Sequence, residues 1–150
     1  MGKYKHIRPI DVYISVEQRL AAAEDRKNGI PHPEITSIRL TGNNFFDLFA
    51  MLVESGYELN VGTIAKAMGV KPALLSPAIE AMSGLTAHRW MVRYRHLSAC
   101  DKLGYDDRDI SSLAAKLGFR TVSAFSHFFY RLEGCYPTQF MAKGSCRMLR

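Results

Sequence analysis

The 150-residue sequence contains only three cysteines, and no two of them form a C-x-x-C pair. That odd, unclustered set argues against a disulfide framework or a zinc site and fits a reducing cytoplasm. Long apolar runs are missing: nowhere do 18 apolar residues follow one another, so no transmembrane helix and no membrane partner is expected. The first fifteen residues, MGKYKHIRPIDVYIS, carry basic groups but lack the apolar stretch of a secretory signal. No Ser/His/Asp set, paired carboxylates or glycine-rich phosphate loop stands out, so enzyme activity has no support, and no catalytic residue or cofactor is expected. His6, His32, His88, His96 and His127 show no metal-ligand spacing, and no metal site is expected either.

What is present is a moderate basic excess, a net charge of +6 with pI near 9.4, which points to an anionic partner. The excess is uneven. Residues 44–83 carry two basic and four acidic groups, whereas residues 84–150 carry eleven and five. Since a basic excess draws anions, the C-terminal half is the stronger electrostatic candidate.

The patterning is helical, and no convincing strand alternation follows Asn44. Residues 1–14 read as charged and irregular, with Pro9 breaking any helix. Ser15 and Gln18 open a helix that runs to about Lys27 and stops at Gly29. From Asn44, Phe45, Phe49 and Leu52 form an apolar stripe that ends at Gly56. Further helices follow, punctuated by Gly69, Gly84, Gly104, Gly118 and Gly134.

Residues 60–140 contain an internal repeat. IAKAMGV (64–70) matches LAAKLGF (113–119), LSPAI (75–79) matches FSHFF (125–129), Gly84 matches Gly134 and Trp90 matches Phe140. Two copies of one helix–turn–helix unit explain this most simply. In the second copy Thr121 is the N-cap of a helix whose Phe125, Phe128, Phe129 and Leu132 form a single buried stripe. The phenylalanines are therefore core, and the binding candidates lie behind them. Val122, Ser123, Ser126, His127 and Tyr130 face outward, with Arg120, Thr121 and Arg131 placed for phosphates. The bland reading of that face is the solvated surface of a packed bundle.

The segment ISSLAAKLGFRTVSAFSHFFYRLEGCYPTQF (110–140) resembles the C-terminal signature of the AraC/XylS family of bacterial transcription regulators. WMVRYRHLSACDKL resembles that family's joining helix through Trp90, Arg95, Ala99 and Leu103, and LNVGTIAKAMGVKPALLSPAIEAMSG (59–84) aligns with its first unit. The resemblance implies an all-α fold of two homeodomain-like helix–turn–helix subdomains on a long linker helix. The boundaries expected are 1–43 for an N-terminal extension with one helix, 44–85 for the first unit, 86–103 for the linker and 104–150 for the second unit. It also implies a cytoplasmic, nucleoid-associated regulator that places two recognition helices in successive major-groove segments of double-stranded DNA, with RNA polymerase as a further partner. A linker of about 27 Å, at 1.5 Å per residue, suits the roughly 34 Å between those segments.

The sequence departs from the family pattern in both units. Pro77 falls inside the first recognition helix, where the family commonly has arginine, leaving Lys71, Ala73, Leu74 and Ser76 as that unit's contacts. In the second, His127 and Tyr130 stand where basic residues are common. Neither helix offers Arg, Asn or Gln on its early outer face, the side chains that grip base edges in pairs. The runner-up to a sequence-specific regulator is therefore a protein-interaction adaptor on the same fold, and a third reading is a DNA coater without sequence preference. Arg95 is expected to pack and form a salt bridge; Arg89 and Arg93 are candidates for phosphates or for ordinary solvation. The extension is too short for the sugar-binding barrel of many family members, and its helix is a candidate for homodimerisation or for covering the domain.

Overall fold

A computed structural model describes residues 6–32, 38–56, 60–105 and 109–143. Among them the helices are α1 (Pro9–Val12), α2 (Val16–Lys27), α3 (Asn44–Glu54), α4 (Val61–Met68), α5 (Pro72–Ser83), α6 (Ala87–Tyr105), α7 (Ile110–Lys116), α8 (Val122–Glu133) and α9 (Pro137–Lys143). The protein is all-α, and the β contact among the described residues is an isolated antiparallel bridge between Tyr13 and Ile38.

The two repeat copies are built alike. The Asn60 side chain accepts from the Gly62 and Thr63 amides to start α4, and Asp109 accepts from Ser111 to start α7. Each short helix then breaks at a glycine with positive φ, +74° at Gly69 and +88° at Gly118, a conformation that costs glycine little and other residues more. The second helix starts at once. Pro72 occupies the first position of α5, and the Thr121 hydroxyl accepts from Ala124 at 3.0 Å to start α8.

Each copy has its own core. The first gathers Phe46, Phe49, Ala50 and Val53 of α3, Ile64 and Ala65 of α4, and Leu75 and Ile79 of α5 around Trp90, Met91 and Tyr94 of α6. The indole of Trp90 stacks on Tyr94 at 5.2 Å and meets the edge of Phe46 at 5.1 Å. The second gathers Leu113, Ala114, Phe125, Phe128, Phe129, Cys135 and Phe140 around Ala99 and Leu103, also on α6. Burying three phenylalanines of α8 contributes on the order of 5–9 kcal/mol. That is comparable with the whole net stability of a typical domain, about 5–15 kcal/mol. The aromatic density near the C-terminus is structural.

Several expectations need correction. Pro9 does not break a helix; it starts one, as the first residue of α1, where its missing N–H is no loss. The buried stripe of α3 is Phe46, Phe49, Ala50 and Val53, with Phe45 and Leu52 half-buried at its margin. Leu132 is 38% exposed and lies outside the second core. Cys135 is buried and disulfide-bonded, so an odd cysteine count did not exclude a single bridge.

The N-terminal segment belongs to the first core. Val12, Tyr13 and Ile38 are buried in it. The Ile7 amide donates to the Met82 carbonyl at 3.0 Å, and Trp90 Nε1 donates to the Ile7 carbonyl at 3.1 Å. Arg19 of α2 pairs with Asp101 of α6 at 2.7 Å. Residues 1–5 of the basic arm lie outside the described residues.

Candidate nucleic-acid interface

The packing of α8 decides which side chains are available. With Phe125, Phe128 and Phe129 turned into the core, Val122, Ser123, His127, Tyr130 and Arg131 are exposed on the helix, and Arg120 and Thr121 are exposed just before it. Ser126 is half-buried at the edge of this face. Thr121 is partly committed, because its hydroxyl caps the helix. Tyr130 is 46% exposed, with its ring 4.7 Å from that of Tyr136, so the pair forms a small aromatic platform at the far end.

The outer face of α5 is more apolar. Lys71 and Ala73 are exposed, and Leu74 is 62% exposed, a large methyl-rich side chain near the start of the helix. Ser76 is turned aside: half-buried, its hydroxyl accepts from the Ala87 amide at 3.3 Å and so helps start α6. Pro77 sits inside α5 with its ring exposed, and the helix runs unbroken from Pro72 to Ser83.

Between α6 and α8 lies a groove of about 590 Å³. Its floor includes Val92, Phe119 and Phe128, and its rim carries His88, Arg89, Arg93 and Arg131. Here the structure brings together three guanidinium groups that the sequence separates by up to 42 positions. Arg89 and Arg93 are one turn apart on α6, which sequence spacing could have shown; their convergence with Arg131 needed the packing of α8.

This arrangement, two short-helix–turn–helix copies on one joining helix, is matched by sequence. Residues 64–143, more than half of the chain, match the helix-turn-helix domain family. The chain belongs to the AraC-type helix-turn-helix family.

Solved structures similar to this AraC-type chain share its fold at low identity. The C-terminal domain of the two-component response regulator YesN from Fusobacterium nucleatum has 18% identity and a TM-score of 0.58, with 66% of this chain and 99% of that one covered. The DNA-binding domain of the global transcriptional factor AdpA, solved with a target DNA, has 22% identity and a TM-score of 0.58 over 71% of this chain and 95% of that one. The C-terminal domain of AraT, a response regulator from Geobacillus stearothermophilus, has 19% identity and a TM-score of 0.59 over 70% and 88%. No curated protein matches the sequence.

In this AraC-type chain, α6 carries two groups whose roles differ from expectation. Arg95 is 1% exposed and donates through Nη1 to the Leu117 carbonyl at the end of α7. Its Nε and Nη2 have no partner among the described residues, so the expected salt bridge is absent there. Burial pulls this guanidinium down to about 10. The second group is metal-competent. His96, Cys100 and Glu133 bring one ligand atom each within 4.8 Å of one another, although the histidines taken alone showed no metal spacing. Burial, and then the Glu133 carboxylate, push the Cys100 thiol up to about 12.

Among the described residues no helix is long and apolar enough to cross a membrane.

Proposed function

We propose that this chain is a double-stranded DNA-binding transcription regulator in which the second unit makes the main contact. The observation that carries the reading is the outer face of α8. It is freed by three buried phenylalanines, offers small and polar side chains at its start, and adjoins the arginine-rimmed groove. A slim helix face flanked by cations is what the major groove and its phosphates require. Val122 suits a thymine methyl, Ser123 and His127 suit base or phosphate oxygens, and Arg120, Arg131, Arg89 and Arg93 suit phosphates. With no paired base grip available, DNA shape carries a large share of the specificity.

The first unit has a different task in this reading. Leu74 and Ala73 offer methyl groups, Ser76 is engaged with Ala87, and residues 44–83 are net acidic. It positions the protein on DNA and reads bases weakly. The exposed Leu74 beside Pro77 also favours a second reading, in which this unit meets another protein and the chain acts as an adaptor.

Selection from a random duplex library, followed by titration of the winner at two salt concentrations, separates these. The regulator gives an enriched motif bound with steep salt dependence, its sequence preference concentrated in one half-site. Weak binding with no enrichment refutes it in favour of the adaptor. Tight binding with no enrichment leaves only a DNA coater.

A further inference from the structure

We propose that His96, Cys100 and Glu133 form a binding site for a zinc-class divalent metal ion, which ties the C-terminal end of α8 to the middle of α6. The inference does not depend on what the protein binds elsewhere.

His96 and Cys100 are four residues apart on α6, and such positions lie one above the other on a single helix face. Glu133 is the last residue of α8 and reaches across to both. The His96 Nε2 to Glu133 Oε1 distance is 2.6 Å, and the Cys100 Sγ to Glu133 Oε1 distance is 3.4 Å. All three residues are partly buried, with side-chain exposures of 13% for His96 and 23% for Glu133, so the site is sheltered yet open to solvent.

Tetrahedral zinc at ordinary bond lengths holds its ligand atoms about 3.4–3.6 Å apart. The trio needs His96 and Glu133 to part by somewhat under 1 Å and its widest separation, within 4.8 Å, to close by up to about 1.2 Å. Rotamer adjustments in half-buried side chains provide that. One imidazole nitrogen, one thiolate and one carboxylate oxygen, with a fourth position left for water, suit zinc, cobalt or nickel. Magnesium and calcium, which take oxygen ligands, do not fit this set. On binding, the Cys100 S–H bond breaks as the metal–sulfur bond forms and that proton leaves to solvent. The proton shared by His96 Nε2 and Glu133 passes to His96 Nδ1 or also to solvent, so one or two protons leave per ion. The ion would replace two hydrogen bonds between α6 and α8 with three coordinate bonds.

Cobalt(II) tests this on the full chain, cleared of metal with a chelator and with the Cys135 disulfide left intact. One equivalent should give visible ligand-field bands and a near-ultraviolet thiolate-to-cobalt charge-transfer band. Cys100→Ser should lose the charge-transfer band, and His96→Ala should weaken binding by about tenfold or more. Zinc at about a hundredfold excess over its Kd should raise the Tm by roughly 5–10 °C in the wild-type chain and much less in the variants. Circular dichroism establishes that each variant is folded; if Cys100→Ser is not, Glu133→Gln, which keeps shape and hydrogen bonding, takes its place and should also weaken binding. Absence of a thiolate band in the wild-type chain overturns the proposal. So does a band that survives intact in Cys100→Ser, which would place the metal away from Cys100.

Discussion

Pro77→Ala should stabilise the protein. Pro77 is the sixth residue of α5, so an amide at that position would reach the carbonyl of Ala73, which proline leaves without an intrahelical donor. An interior proline is about 3 kcal/mol less favourable than alanine. The ring is exposed, so its removal opens no cavity. The carbonyl of Ala73 belongs to an exposed residue within reach of solvent, which lowers the gain to about 1.5–3 kcal/mol. For a chain of this size that is roughly 4–10 °C in Tm. Urea unfolding followed by far-ultraviolet circular dichroism reads it as a higher midpoint at unchanged slope. A midpoint equal to or below the wild-type value would refute the reasoning, showing that the ring supports α5 where it stands. Pro77→Arg separates shape from charge. If α5 lies against phosphates, it should steepen the salt dependence of DNA binding by about 0.9 in log–log slope, whereas Pro77→Ala leaves the slope unchanged.

Gly56→Ala should cost about 2–5 kcal/mol, because a Cβ there meets the Lys116 carbonyl at 2.5 Å in a backbone with φ of +88°. Gly69→Ala, at φ +74° with nothing within 4 Å, should cost only about 1–2 kcal/mol; equal losses in denaturant unfolding would show that the contact between α3 and α7 is slack. Replacing Arg93 or Arg131 by Ala should each lower the salt slope of DNA binding by about 0.9 without changing the selected motif, whereas a changed motif would make that arginine a base reader. Tyr13 and Tyr94 have raised pKa values, first from burial and then from Asp101 and Glu54 respectively. A group held above its unfolded value stabilises fully below that value, near 10, and loses its contribution as pH rises further. Stability in a pH series should therefore be unaffected by these two tyrosines up to about pH 9 and fall above pH 10, with Tyr94→Phe flattening the fall.

Much of the fold was legible because the repeat constrains itself. Two copies of a glycine-broken helix pair, in register over Gly84/Gly134 and Trp90/Phe140, leave few ways to pack. Periodicity also separated the core of α8 from its outer face, except at Leu132. That residue continues the spacing of Phe125 but is 38% exposed and lines the groove between α6 and α8. The α3 stripe was misplaced by one position because Phe45 and Phe46 are both aromatic, and spacing alone does not rank adjacent residues. Three site features needed tertiary structure. Ser76 looked free until the start of α6 was seen against it, Arg131 lies far in sequence from Arg89 and Arg93, and Glu133 lies far from His96 and Cys100.

The role of α6 explains what the N-terminal segment packs against. A helix that served one core would have one apolar face; α6 buries Trp90, Met91 and Tyr94 in the first core and Ala99 and Leu103 in the second, with Arg95 and Ser98 buried between them. The three short helices of the first unit do not cover all of that surface. Residues 7–14 close the remainder, satisfying the indole N–H through Ile7 and placing Val12 and Tyr13 against Tyr94 and its neighbours. A buried N–H left without its acceptor costs about 1–3 kcal/mol, and losing a buried valine adds a similar amount. Those losses are large beside the 5–15 kcal/mol of a typical domain. Although the sequence match begins at residue 64, the packing of the first core reaches back to Ile7 and its contact with Trp90.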